Sequence, residues 1–194
     1  MTQNISPARK AMIDSQLRTS GVNQEYVLAR MAAVPREDYV PESAKAMAYM
    51  DRAVPLGEGR FLSSPLVHGL MLAEAAPKPD DRVLVVEGGS SYLADLVTPL
   101  VAELDSISAE KAAGTSRMRK TYSLVLVDGA VEELPASLAK LLEDGGRVIT
   151  GLMLRGVTRL ATGRKIAGSV SLQPLAEIGI PVLHEFDKPK AWSF

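Results

Sequence analysis

The chain has 194 residues, 46% of them hydrophobic, with 22 Lys and Arg against 23 Asp and Glu for a formal net charge of -1. That length suits one folded unit with an appendage, and the balanced charge gives no basic field for nucleic acid. The absence of Cys excludes disulfides and thiol chemistry, and only two His argue against a four-ligand zinc site, so no metal is expected.

Residues 1–7 are polar and are expected to fray. The N-terminus carries no apolar stretch of the kind that directs export. No segment approaches the roughly 18 apolar residues of a membrane span, so the expectation is a cytoplasmic protein with no membrane partner. From Ala8 the spacing of Met12, Ile13 and Leu17 predicts a helix ending at Gly21. Asn23 can cap a second helix that carries Tyr26, Val27 and Met31 and stops at Pro35. Pro41 can open a third, Glu42 to Met47. This helical region, 1–60, is too small to be comfortable alone. It is expected to pack on a larger domain, 61–184, and to roof part of its sheet, with 185–194 as a tail.

Residues 51–65, DRAVPLGEGRFLSSP, read as a constrained irregular loop, with Gly57, Gly59 and two prolines. Ser63 and Ser64 stand before Pro65 and a helix, Leu66 to Ala75. Either could cap that helix or present a hydroxyl to a substrate. His68, inside the helix, reads as a packed or surface residue, because no acid or nucleophile is recognisably arranged around it.

The chain is organised around residues 81–108. Val83 to Val86 is a short apolar run, read as a buried strand. Glu87-Gly88-Gly89-Ser90-Ser91 is a turn, and Tyr92 to Ala102 has helical spacing. Leu104 to Ile107 is a second strand, which completes a βαβ unit. Nucleotide-like cofactors bind over the first turn of such units, but a lone Gly88-Gly89 pair fits a tight turn without a ligand equally well. The second strand ends in Ser108 where a ribose-binding carboxylate is usual. Glu110, two residues on, could reach the site or be solvated.

The basic residues Lys111, Arg117, Arg119 and Lys120 read as a solvated connection. Tyr122 to Val127 is a buried strand ending in Asp128-Gly129-Ala130, followed by a helix from Pro135 to Leu142 and a strand from Arg147. Val157–Leu160 and Ser169–Leu172 read as antiparallel edge strands, and Ile178–Leu183 as a last strand. Phe186, Trp192 and Phe194 in the tail could dock on the domain or on a second subunit.

Together these segments resemble the protein-L-isoaspartate O-methyltransferase family, from about Met12 to Leu183. MIDSQLRTSGV resembles its opening helix and VLARMAAVPREDYVPE its "VPR..FVP" segment. AYMDRAVPLGEG resembles "AY.D..LPIG.G", FLSSP its Thr-Ile-Ser-Gln-Pro loop, and EDGGRVI its "GGR" strand entry. The resemblance implies an α/β fold with a doubly wound Rossmann-like methyltransferase sheet. It also implies S-adenosylmethionine as cofactor and methyl transfer to the α-carboxyl of isoaspartyl residues in a protein or peptide substrate. The family's essential hydroxyl falls on Ser63, which would orient the acceptor carboxylate. Gly88, Gly89, Ser90, Tyr92 and Glu110 are the positions implied for the cofactor.

The departures fall on the cofactor motifs. Against the family turn E-I-G-T-G-S-G-Y, this chain has Val85 for the acid, Glu87 for the first glycine and Ser91 for the third. Ser108 replaces the ribose acid, and Ser64 the loop glutamine. Only Ala109 to Thr121 separates the second strand from the next, whereas one crossover needs about a dozen residues. The third strand should therefore be missing, leaving Leu104–Ile107 as an edge where two copies could pair. Three functions follow: an isoaspartyl methyltransferase with weak or lost use of S-adenosylmethionine, a non-catalytic descendant that binds a protein or peptide, or the same fold with another substrate and cofactor.

Overall fold

The computed structural model describes residues 5–114 and 119–187. Helix α1, Pro7–Met12, is capped by the Ser6 hydroxyl. It widens into a π turn, Ile13–Leu17, and then tightens into a 3-10 turn, Arg18–Ser20, before Gly21 reverses the chain at φ 90°. Helix α2 spans Glu25–Ala33, and its N-cap is Gln24, not the predicted Asn23. The predicted third helix is a 3-10 segment, Glu42–Met47.

The stretch expected to be an irregular loop is a hairpin: β1, Val54–Gly57, pairs antiparallel with β2, Arg60–Leu62. Gly57, Glu58 and Gly59 all have positive φ, and glycine at two of the three makes so tight a reversal accessible. Helix α3, Pro65–Ala75, follows directly, with Ser64 as its cap through a 3.3 Å bond to the Val67 amide. The capping reading therefore holds for Ser64 and not for Ser63.

The main sheet contains β3 (Arg82–Glu87), β4 (Glu103–Ser108), β5 (Tyr122–Val131), β6 (Leu142–Leu154), β7 (Val157–Ile166) and β8 (Ser169–Glu177) in the order β4-β3-β5-β6-β7-β8. The first four in that order are parallel, and β7 and β8 are antiparallel. Its period-two alternation divides the core. Val83, Val85, Leu124 and Leu126 face a cluster with α2, α3 and α4 (Tyr92–Val97), including Met31, Leu72 and Leu93. Leu84, Val86, Val125 and Val127 face Ala109 and Ala112 of α5 (Ala109–Ala113), Leu138 of α6 (Ala136–Leu141), and Phe186. The fold is therefore α/β, with helices on both faces and an N-terminal helical region joined to one core cluster.

Among the described residues β4 has no outer neighbour. Helix α5 occupies Ala109–Ala113 of the short connection, and among its described residues no third strand forms. The Lys120 ammonium instead bridges Asp105 and Glu103, each at 2.6 Å, along the outer strand. Bonds from Lys120 and the Tyr122 hydroxyl hold the Asp105 carboxyl below its usual range.

Three other expectations change. The helix after the glycine turn ends at Val97 and passes into a 3-10 turn, Thr98–Leu100, because Pro99 cannot donate to the helical ladder. Strand β6 begins at Leu142, ahead of the predicted Arg147, and takes in Gly145 as an irregularity. Ile178–Leu183 is not a strand; its one ladder contact is an isolated bridge from Val182 to Ala130. Phe186 is buried, whereas Trp192 and Phe194 lie outside the described residues.

Candidate functional site

The ends of β3 and β5, the hairpin and the start of α3 converge at the carboxyl edge of the sheet. Between Leu126 and Ala130, β5 slips out of register with β6. A bulge there turns the Asp128 side chain toward α3. Ser63 donates to Asp128 Oδ1 at 2.8 Å, and His68 Nε2 lies 3.1 Å from both carboxylate oxygens.

Beyond His68 stands Arg36, also fully buried. Its guanidinium reaches His68 Nδ1 at 3.0 Å, the Ser63 carbonyl at 2.7 Å and the Ala48 carbonyl at 2.9 Å. Since a guanidinium has no acceptor, Nδ1 must accept and the Nε2 proton points to Asp128. The Arg36 guanidinium carbon also sits 4.8 Å from the centre of the Tyr92 ring, a cation–π contact. Burial by itself pushes the Asp128 carboxyl up. His68, Ser63 and Arg36 overcome it and hold the group below the usual carboxylate range.

Each residue singled out in the sequence has a definite place. Ser63 is 1% exposed, and its hydroxyl is bonded inside the protein. A Cβ on Gly88 would stand 2.0 Å from the Asp128 carbonyl oxygen, so glycine is required there for the approach of two strand ends. Gly89 has φ 135°, and a Cβ on it would lie 2.8 Å from Arg60 Cβ and 3.4 Å from Arg60 Cδ. The Arg60 stem therefore lies against Gly89 of the turn. Its guanidinium is ion-paired with both Glu110 of α5 and Glu185 of the 3-10 turn His184–Phe186.

The Ser90 hydroxyl accepts from the Tyr92 amide at 3.1 Å. Tyr92 is fully buried against His68 and Tyr39, each with ring centres 5.1 Å away. Ser106 donates to Glu87 at 2.6 Å, which turns that carboxylate toward β4. Ser108 caps α5.

The structure thus joins Ser63 and Tyr92 in one buried network, and Gly88, Gly89 and Glu110 around another group of contacts. Arg36, Arg60, Asp128 and Glu185 are the site residues that sequence reasoning missed. Asp128 had a usable signal, as a carboxylate ending a central strand beside Gly129. The partners of Arg60 are 50 and 125 residues away in the chain, and no local pattern marks them.

A cavity of about 470 Å³ opens on the far side of the hairpin, lined by Arg52, Phe61, Ser64, Leu66, Ile178 and Ile180 among others. Among the described residues no three of His, Asp and Glu converge to hold a metal ion, and no helix is long and apolar enough to cross a membrane.

The sequence model of the family described as Protein-L-isoaspartate(D-aspartate) O-methyltransferase (PCMT) matches residues 8–121. A protein-L-isoaspartate O-methyltransferase of Methanoculleus marisnigri is 30% identical over 203 residues, covering 92% of each chain. One of Koribacter versatilis is 32% identical over 184 residues, with 82% of this chain and 83% of its own covered. Among solved structures, a Plasmodium falciparum chain assigned to the same activity, in complex with S-adenosyl-L-homocysteine, superposes with a TM-score of 0.75. That match covers 91% of this chain and 98% of the other at 19% identity, which speaks to the fold. Together the family match and these relatives establish that the chain belongs to the protein-L-isoaspartate O-methyltransferase family.

Proposed function

We propose that this family member has weak or lost S-adenosylmethionine-dependent methyl transfer. The observation that carries the reading is Arg60, whose stem lies on Gly89 and whose guanidinium is paired with Glu110 and Glu185. The cofactor of this family would need the space over that turn and an acceptor for its ribose hydroxyls. Glu110, the carboxylate two residues beyond Ser108 that could stand in for it, is already engaged by Arg60. The residues present do not fit the group at its usual place. Ser63 supports the same reading: a buried hydroxyl that donates to Asp128 is not presented to an acceptor carboxylate.

The direct test is methyl transfer to an isoaspartyl peptide at saturating S-adenosylmethionine. Turnover at or below one hundredth of that of the Methanoculleus marisnigri relative, assayed alongside, is expected. Comparable turnover would refute the proposal, and Ser63→Ala should then abolish it.

A second reading, a non-catalytic protein- or peptide-binding descendant, is favoured by the cavity beside the hairpin. Its walls are largely apolar, Phe61 at its edge is 38% exposed, and Asp51 and Arg52 supply charge at the rim. Such a cavity suits an apolar side chain carried on a polar backbone. A peptide array probed with wild type and Leu66→Glu tests it. Binding shared equally by the two would refute a role for the cavity.

A further inference from the structure

Arg60 does more than stand in the way of a ligand. It ties three elements that are far apart in the chain: the hairpin through its backbone, α5 through Glu110, and the C-terminal segment through Glu185. That segment lies against the bulged end of β5. The Ala130 amide donates to the Pro181 carbonyl at 2.7 Å, and the Leu183 amide to the Ala130 carbonyl at 2.9 Å. The Leu183 side chain then covers Gly88 of the turn and Gly129 at the end of β5. A Cβ on Gly129 would lie 2.4 Å from Leu183 Cγ, and one on Gly88 3.7 Å from Leu183 Cδ2. Phe186 anchors the far end in the core cluster that holds Ala109 and Ala112 of α5.

Resting on the function proposed above, we infer that residues 181–186 form a strap over the glycine turn and that Arg60 is its latch, an internal occupant that closes the adenosyl site. The chemistry is that of a competitor in cis. A guanidinium satisfies two carboxylates with charge-assisted hydrogen bonds. Glu110 is thereby withheld from ribose hydroxyls, and the Arg60 stem fills the volume above Gly89. The latch is of a kind that can open. The Arg60 side chain is 25% exposed, Glu185 20% and Glu110 58%, so the pairs are partly hydrated and screened by salt. No covalent bond and no fully buried charge has to be broken to lift the strap.

The test uses the full chain. Binding of S-adenosylhomocysteine is measured by ligand-observed NMR, which reaches the millimolar range, for wild type, Arg60→Ala, Glu185→Gln and Arg60→Ala/Glu110→Gln. Amide exchange of Ala130 and Leu183 is followed in the same samples. Arg60→Ala is expected to bind at least tenfold tighter than wild type and to exchange these two amides at least tenfold faster. Glu185→Gln, which keeps the arginine and removes the charge of one of the two carboxylates on its Nη2, should shift both readouts in the same direction by about threefold. It serves as the test if Arg60→Ala does not fold. Adding Glu110→Gln should abolish the gain in affinity, because the freed carboxylate is the group the ligand recovers.

Unchanged affinity and unchanged exchange in a folded Arg60→Ala or Glu185→Gln protein would overturn the latch. Faster exchange without tighter binding would also overturn it as a gate on that site. These failures differ from failure of the proposed function. The latch fails alone if wild type stays weak and the variants match it, whereas micromolar binding by wild type refutes the functional reading itself.

Discussion

Arg36→Met removes the guanidinium from the centre of the buried network while keeping much of the side chain's volume. The Ser63 and Ala48 carbonyls and His68 Nδ1 lose donors at 2.7, 2.9 and 3.0 Å, and all three sit out of reach of bulk water. Each stranded buried group costs about 1–3 kcal/mol. Asp128, a buried carboxylate, also loses a positive charge that helps to hold it ionised. These losses share groups and do not fully add, so about 3–5 kcal/mol is the expected destabilisation. For a chain of this length that corresponds to a fall in Tm of roughly 6–20 °C. Urea denaturation gives the free energy, and calorimetry the melting temperature. The second arm is a cycle with Asp128→Asn, in which the coupling between the two changes should exceed about 1 kcal/mol. A single-variant cost below about 1 kcal/mol, or strictly additive effects, would refute the reasoning.

Other expectations rest on different contacts. The Asp128 carboxyl is held below its unfolded value, so its contribution to stability is complete above the ordinary aspartate range near pH ~3.9 and is lost as the pH falls through the lower folded value. Urea midpoints measured from pH 6 down to pH 2 should therefore fall less steeply for Asp128→Asn than for wild type; parallel curves would count against the assignment. Gly88→Ala places a methyl 2.0 Å from a main-chain oxygen that cannot rotate away, and overpacking costs of about 1–3 kcal/mol set the lower end of the expected loss. A Gly88→Ala protein as stable as wild type would show that β3 and β5 do not meet as described. Arg82→Ala breaks an exposed pair with Glu143 and should change stability by less than about 1 kcal/mol in the same urea assay.

Much of the architecture was legible because it depends on local period. Val83 to Val86 and Tyr122 to Val127 are unbroken apolar runs, and buried parallel strands have that signature. The edge position of β4 could be inferred from chain length alone, since Ala109 to Thr121 cannot hold two crossovers and a strand. The hairpin at Gly57–Gly59 was misread because prolines and glycines mark irregular loops and tight turns alike, and positive φ at Glu58 leaves no trace in residue type. His68 looked like an isolated histidine for a topological reason. Asp128 is 60 residues away, and it is brought to the imidazole only by the bulge in β5. The glycine pair is ambiguous for a subtler reason. A ligand cradle and a close approach of the chain to itself ask for the same residue, and the neighbours Asp128, Arg60 and Leu183 distinguish them only in three dimensions.

The central claim is that the turn at Gly88 and Gly89 is filled by the protein itself. Calorimetric titration of the purified wild-type chain with S-adenosylmethionine, at moderate salt and neutral pH, tests that claim most directly. Engagement of Glu110 by Arg60 removes at least one charge-assisted bond, a loss of about 1.5–3 kcal/mol, and loss of the volume above Gly89 adds to it. At about 1.4 kcal/mol for each tenfold, affinity should fall to the millimolar range or weaker. A saturable heat with a micromolar dissociation constant would contradict the account.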